Sequence, residues 1–218
     1  MTKLNDNLSQ YFIDVFKRWF IQLRFPNFKE NTFSLNKIIK KEIPNNWKIV
    51  KLIDEFEIYQ PETISNSLFD DTADFYVYGG GGHIGNYTKY NHKNSEVILS
   101  CRGSCGNVYF TQPYSWITGN AMVVTPRNNN YLKYYIYGYL KVFGVNKCLT
   151  GSVQKQITRE DLGELQFIMP DEETIRIFGI FATSIMNKII SIRNENNKLK
   201  KLRDELLPLL MNGQVTIK

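Results

Sequence analysis

Between Phe75 and Arg159 the sequence carries nine basic side chains and a single acid, Glu96. Amide and aromatic residues are interleaved with the basic ones. Lysine suits the phosphates of a nucleic acid, whereas arginine, asparagine and glutamine make paired hydrogen bonds to guanine and adenine edges. The residue types therefore predict contact with a polyanion, although an ordinary solvated surface is the alternative for any single residue. The candidate contacts are Asn86, Lys89, Tyr90, Asn91, Lys93, Arg102, Arg127, Asn129, Lys147, Gln154 and Lys155.

The remaining motifs are weak indications of chemistry. Gly80, Gly82 and Gly85 have the GxGxxG spacing, but the residues after them favour turn and strand rather than the helix that nucleotide binding needs. We expect a glycine-rich turn instead. Cys101 and Cys105 stand four apart and form no paired set of zinc ligands with the scattered histidines and Cys148, so buried or semi-buried thiols are predicted. No nucleophile with its base, carboxylate pair or phosphate-binding loop is visible, and we expect no catalytic residue, metal site or cofactor.

Composition limits the class of protein further. A chain of 218 residues that is 43% hydrophobic can bury one sizeable core. The net charge of +6 is concentrated in the middle, because the stretch from Phe25 to Asp74 is net negative. Three cysteines and the want of an amino-terminal apolar segment favour a reducing cytoplasm. No window approaches eighteen uninterrupted apolar residues, so we expect neither a spanning helix nor a membrane partner.

Helices are predicted at both ends of the chain and short strands between them. Apolar residues at three- and four-residue steps predict an amphipathic helix over Leu4 to Leu23, and a second apolar stripe predicts a helix over Tyr131 to Phe143. The expected fold is α+β: one globular domain of mixed strands and helices over 26–170, flanked by an amino-terminal helix over 1–25 and a long coiled-coil-type helix over 171–218. The predicted strands are Lys48–Leu52, Phe75–Tyr78, Val97–Ser100, Asn107–Thr111, Ala121–Thr125 and Leu165–Met169.

The last helix is predicted to run for roughly 37 residues, or on the order of 55 Å. Because one domain of this size does not need such a length for its own core, part of the apolar stripe should meet another helix. The amino-terminal helix is the nearest candidate, followed by a partner protein or a second copy; a helix packed along its own domain is the alternative. The predicted interface residues are Phe178, Ile185, Ile189, Ile192, Asn196, Leu199 and Leu206.

The order of several motifs resembles the specificity subunit of type I restriction-modification systems, in its carboxyl-terminal half. Tyr76–Tyr87 is similar to the tyrosine- and glycine-rich stretch of that family, and Val97–Gly106 to its following strand and RGS/T-x-G turn. Ile43–Trp47 resembles the opening of a recognition domain, and Gly151–Ile157 its close. Leu202–Gly213 resembles the terminal helix motif, so the similarity spans nearly the whole chain.

The resemblance implies a non-catalytic subunit that recognises one half of a split site in double-stranded DNA. Its helices would set the spacing between half-sites and dock methyltransferase subunits, and through them the restriction subunit. S-adenosylmethionine, magnesium and ATP would belong to those partners. Full subunits of the family carry two recognition domains and this chain has one, which leaves a fragment, a truncated product or a half-subunit that pairs with itself as a homodimer. The rival interpretations are a protein-interaction adaptor with a coiled-coil helix and, less favoured, a stand-alone DNA-processing enzyme.

Overall fold

Helices form both ends of the chain and short strands fill its middle, in a computed structural model that describes residues 2–26, 32–36, 40–103, 105–151 and 155–212. The predicted α+β class is confirmed, with one helix at the amino end and a long one at the carboxyl end. The helices are α1 (Thr2–Phe20), α2 (Leu52–Glu55), α3 (Leu132–Phe143), α4 (Arg159–Gly163) and α5 (Glu172–Met211). The strands are β1 (Phe33–Asn36), β2 (Lys41–Pro44), β3 (Lys48–Lys51), β4 (Phe56–Tyr59), β5 (Phe75–Gly79), β6 (Gly82–Tyr87), β7 (Val97–Ser100), β8 (Val108–Phe110), β9 (Trp116–Ile117), β10 (Ala121–Pro126), β11 (Leu149–Thr150), β12 (Gln156–Ile157) and β13 (Gln166–Met169).

A four-stranded antiparallel sheet in the order β4-β10-β7-β8 lies at the centre. All four residues of β7 are buried, because side chains that alternate along a strand here meet a packed layer on each face. Val97 and Leu99 belong to the large core beneath the helices. Ile98 belongs to a smaller cluster with Tyr78 and Ile117, which come from a second sheet in the order β6-β5-β9. The central sheet is therefore the rigid middle layer that positions the loops at both of its ends.

The helical layer consists of α1, α3 and α5, which pack together through aromatic rings. Phe178 of α5 is fully buried, and its ring centroid lies 4.9 Å from that of Phe20 and 5.6 Å from that of Trp19. One position in α5 permits no side chain: a Cβ atom at Gly179 would lie 2.4 Å from Cβ of Tyr131. The glycine lets the helix backbone approach this ring directly, which brings α5 close against the start of α3.

Helix α5 changes its surroundings along its length. Asp171 caps it by accepting a hydrogen bond from the backbone N–H of Thr174 at 3.0 Å, and the same carboxylate accepts one from the Trp47 indole at 3.1 Å. The proximal half, residues 172–193, contributes six apolar or small side chains to buried positions: Ile175, Phe178, Ala182, Met186, Ile189 and Ile192. In the distal half, residues 194–211, the leucines are exposed or nearly so. The helix thus begins as part of the core and continues beyond it.

The sequence-based expectation that no helix is apolar enough to span a membrane does not hold for α5, judged by length and composition. Among the described residues, Glu172–Met211 is the one helix long and apolar enough to cross a membrane by length and composition, and 39% of its most apolar window is buried inside the protein. Its apolar character is dispersed rather than uninterrupted, so a search for unbroken apolar runs does not detect it. The core contacts of Phe178 and Met186 account for part of this apolar character.

Candidate nucleic-acid interface

Two neighbouring loops form the first group of candidate contacts. Residues 88–94 and 111–116, which we call the loop tip, are joined by two backbone hydrogen bonds of 3.0 Å between His92 and Ser115. A third bond of 3.1 Å runs from the N–H of Tyr114 to the carbonyl of Lys93. Lys89 and Lys93 are exposed on this support. The loop tip therefore presents two cations from a backbone that is tied down rather than free.

Asn91 ties the loop tip to the second sheet. Its amide nitrogen donates to the carbonyl of Ile117 at 2.9 Å, and its amide oxygen accepts from the N–H of Ile117 at 2.8 Å. This is the pair of groups that would recognise an adenine edge. Because the protein's own backbone occupies both, Asn91 positions the loop in this structure.

His92 lies between Tyr59 and Asn91 in a defined tautomer. The Asn91 oxygen is an acceptor only, so Nδ1 of His92 donates to it, and Nε2 accepts from the Tyr59 hydroxyl at 2.8 Å. Burial lowers the pKa of His92 from its ordinary value of 6.5. Burial therefore favours the neutral ring, in which Nε2 is the acceptor for the Tyr59 hydroxyl.

Low pH should lower the stability that the His92 hydrogen bonds to Tyr59 and Asn91 contribute. Because the folded-state pKa of His92 is lowered, the unfolded chain binds more protons below about pH 6.5, and the free energy of unfolding should fall as the pH drops through that range. We expect His92→Gln, which can both donate and accept, to lose this part of the dependence. Urea unfolding at several values from about pH 8 to about pH 5 measures the difference between the two proteins. A constant difference across the series would contradict the assignment.

A second group of cations surrounds the β11–β12 hairpin. Arg102 pairs with Gln156 through an isolated β-bridge, and the backbone carbonyl of Lys155 accepts a hydrogen bond from the Cys105 thiol at 3.0 Å. Lys147 lies in the 3₁₀ turn just before β11. Arg102, Lys147 and Lys155 are all exposed, and we call these three the hairpin cluster. Gln154 lies outside the described residues.

The two groups lie near opposite ends of the central sheet. Ser100, which precedes the hairpin cluster, pairs with Ala121 at the start of β10, whereas Val97, which follows the loop tip, pairs with Val124 near its end. These two positions on β10 are three residue steps apart, or about 10 Å along the strand. The structure therefore brings the candidates together as two groups and not as one patch.

Arg127 and Asn129 mainly serve the local backbone. Both follow β10 at the loop-tip end of the sheet. The Arg127 Nε donates to the carbonyl of Ile53 at 3.4 Å, although its side chain is exposed overall. The Asn129 oxygen accepts from the N–H of Tyr131 at 2.9 Å just before α3. The Asn129 oxygen is thus committed to the turn that begins α3.

Asn86 and Tyr90 also have partners within the protein. The Asn86 amide contacts His83 Nε2 at 3.1 Å and donates to the carbonyl of Asp71 at 3.4 Å, beside the distal half of α5. The Tyr90 ring meets Phe75 edge-on at 5.0 Å and is partly exposed. The glycine run forms the β5–β6 turn, with Gly82 at φ +86°, as the sequence context predicts.

The cations of both groups lie outside the ion pairs of the described residues, although the Asp161 carboxylate is at the β11–β12 hairpin, where it accepts from the Thr150 hydroxyl at 3.3 Å. Within the described ranges, none of the ion pairs involves Lys89, Lys93 or the hairpin cluster. Glu96, the single acid of the region, is buried, and its carboxylate accepts from the Thr125 hydroxyl at 2.8 Å. Burial raises the pKa of Glu96, against the lowering effects of the Thr125 hydrogen bond and of Lys133. The exposed surface is thus more basic than the composition of the region indicates.

The part of the chain that the structure describes contains no cluster of three or more histidine, cysteine, aspartate or glutamate side chains that could hold a metal ion. Cys101, Cys105 and Cys148 are free thiols, two of them buried. The described residues thus form a scaffold of sheets that carries exposed cations, as in a binding domain, beside a long helix whose Lys201 contacts the Thr72 carbonyl at 3.3 Å and the Asp74 carboxylate at 3.4 Å.

Residues 44–201 match the family described as the type I restriction modification DNA specificity domain, and the chain belongs to this family. It is 23% identical to the MjaIX specificity subunit of Methanocaldococcus jannaschii over 99% of this chain and 54% of that protein. It is 27% identical to the HindI specificity subunit of Haemophilus influenzae over 55% of this chain and 27% of that protein. The chain spans about half the length of the first of these relatives. Membership places it with the specificity components of restriction enzymes and not with the catalytic ones.

Solved structures support the same fold. A type I system S subunit from M. genitalium aligns with a TM-score of 0.61 at 17% identity, over 81% of this chain and 47% of that one. A chain from a structure of type I restriction-modification complex assembly aligns with a TM-score of 0.52 at 14% identity, over 95% of this chain and 52% of that one. The architecture is therefore that of about half a specificity subunit.

Proposed function

We propose that this chain recognises one half of a bipartite site in double-stranded DNA and docks methyltransferase subunits through its long helix. The observation that supports DNA contact most strongly is the set of exposed cations on two rigid supports. Lys89 and Lys93 would neutralise phosphates at one end of the central sheet, and the hairpin cluster would do so at the other.

The distal half of α5 supports the docking part of the proposal. Leu199, Leu202, Leu206 and Leu209 follow the alternating three- and four-residue steps of a coiled-coil seam, and all four are exposed. We call these four residues the distal seam. A methyltransferase subunit is the proposed occupant, and a second copy of this chain is the competing outcome.

Salt dependence of binding tests the proposed DNA interface. The double variants Lys89→Ala/Lys93→Ala and Lys147→Ala/Lys155→Ala, each co-expressed with the methyltransferase subunit, should weaken binding to any duplex. Each should reduce the slope of log K against log salt by about 0.9 for every phosphate that is no longer neutralised, or about 2 per pair of lysines.

The matched controls are Lys17→Ala and Lys188→Ala, exposed lysines on α1 and α5. Fluorescence anisotropy with a duplex library over a salt series gives the slopes. A pair that leaves the slope at the control value does not contact the duplex. If both double variants leave the slope at the control value, the proposed DNA interface is wrong.

A further inference from the structure

One exposed aromatic residue of the loop tip has a backbone conformation that residues with side chains rarely adopt. Tyr114 has a φ of +52°, in the left-handed region, and its side chain is 51% exposed. Leu23, which shares this conformation, lies three residues beyond Phe20 in the turn that ends α1, where a left-handed residue is common. No such helix end explains the conformation of Tyr114. It follows Pro113, as in a type II turn, but that position normally holds glycine or asparagine rather than an aromatic residue.

The surroundings hold Tyr114 in this conformation. Its own N–H and that of Ser115 donate to the carbonyls of Lys93 and His92 at 3.1 and 3.0 Å. The buried Ser115 hydroxyl donates to the Gln112 carbonyl at 2.9 Å, and the Gln112 N–H donates to the Tyr78 hydroxyl at 3.1 Å. A strained residue persists only where the neighbouring structure over-determines it, and such residues concentrate at functional sites.

The ring of Tyr114 lies among groups suited to a nucleic acid. It meets the Tyr90 ring edge-on, with centroids 5.3 Å apart. Lys89 and Lys93, one residue before Tyr90 and three after it, are exposed cations without ion pairs among the described residues. The two rings therefore form an apolar point flanked by charges that attract phosphate.

We propose that Tyr114 contacts base edges of the duplex and contributes to the choice of sequence, an inference that rests on the proposed DNA-binding function. Lys89 and Lys93 would hold the phosphates while the rigid ring of Tyr114 enters the groove between them. A ring fixed before binding loses little conformational freedom on contact, so its apolar contact with bases is retained as affinity. The left-handed backbone directs a ring that stays 51% exposed, with the edge of Tyr90 as its aromatic neighbour.

Two variants of Tyr114 separate binding from stability. Tyr114→Ala keeps the left-handed backbone and removes the ring, whereas Tyr114→Gly removes both the ring and the strain. Both should lose roughly tenfold in affinity for a duplex that carries the recognised site and little for a duplex with that site scrambled. The glycine variant should melt about 2–4 °C above the alanine variant.

The measurement uses the chain co-expressed with its methyltransferase subunit, the recognised site having first been mapped by methylation. Leu35→Ala, at an exposed leucine of β1, is the control and should change neither property. If the wild type distinguishes the two duplexes and Tyr114→Ala distinguishes them equally well, the inference is overturned while the proposed function stands. Equal losses on both duplexes, or a glycine variant no more stable than the alanine one, also overturn it. A wild type that distinguishes no sequence refutes the proposed function itself.

Discussion

Phe178→Ala should destabilise the protein by about 3–5 kcal/mol, a large part of the roughly 5–15 kcal/mol that holds a domain folded. Phe178 is fully buried where α1 and α5 meet, within 6.0 Å, between ring centroids, of Phe12, Phe16 and Phe20. Because these neighbours are themselves large rings from another helix, the cavity cannot close by a small shift. Urea unfolding followed by tryptophan fluorescence measures the loss, since Trp19 packs on the same ring.

Phe143→Ala is the matched control for this substitution. Phe143 is the last residue of α3 and is 54% exposed, with its ring on Tyr139 at 4.7 Å. Its loss should cost about 1 kcal/mol or less. If the two variants unfold at the same urea concentration, the aromatic junction between α1 and α5 is not the main support of the helical layer.

Leu199→Lys/Leu206→Lys should abolish docking of the methyltransferase subunit, with a loss of at least about 100-fold in affinity. Each of these leucines would lose about 1.5–3 kcal/mol of burial in the complex, and each would bring an unpaired charge into the interface. The stability of the isolated chain should stay within about 0.5 kcal/mol of the wild type, since both side chains are exposed. Copurification with the methyltransferase subunit and mass in solution are the measurements.

Leu207→Lys provides the comparison on the same helix. Leu207 is 52% exposed and lies next to the distal seam in sequence but outside its three- and four-residue steps. The Leu207→Lys variant should therefore bind the methyltransferase subunit as well as the wild type does. A seam variant that copurifies as well as the wild type, or a Leu207 variant that binds equally poorly, contradicts the assignment. Loss of a dimer with unchanged copurification would identify a second copy as the occupant.

Strong periodicity was sufficient to predict the main elements. The six predicted strands correspond to β3, β5, β7, β8, β10 and β13, and the three predicted helices to α1, α3 and α5. Strand β4 was missed because a single helical turn at Leu52–Glu55 divides its apolar run, and its four residues are too few to show alternation. Strand β6 contains two glycines and forms because β5 pairs with it, which is a tertiary effect.

Residue type predicted the charge of the site better than the role of each side chain. The lysines are exposed as expected, but the amides of Asn86 and Asn91 are engaged with the protein itself. Asparagine bonds readily to nearby loop backbone, and sequence does not reveal which partner prevails. Tyr114 is not among the predicted contacts, because the one local signal, Pro113 before it, predicts a turn and not which side chain the turn exposes.

The same limit applies to the predicted helix interface. Phe178, Ile189 and Ile192 are buried and Ile185 packs on the core, whereas Asn196 is partly exposed and Leu199 and Leu206 are exposed. A seam within one chain and a seam between chains have identical spacing, so periodicity alone does not separate them. In the structure, the apolar stripe of α5 is buried as far as Ile192, and its later leucines are exposed because the globular core ends there.

The continuity of α5 from that core into the distal half fixes the direction in which the distal seam faces. One residue inserted near Asn194 would turn everything beyond it by about 100° and advance it by about 1.5 Å. Four residues would leave a rotation of about 40° and an advance of about 6 Å, and seven would leave about 20° in the opposite sense and an advance of about 10 Å. A natural change in the length of this helix would therefore keep the seam on nearly the same side only in steps of about two turns, and the reach of the molecule would change in increments of that size.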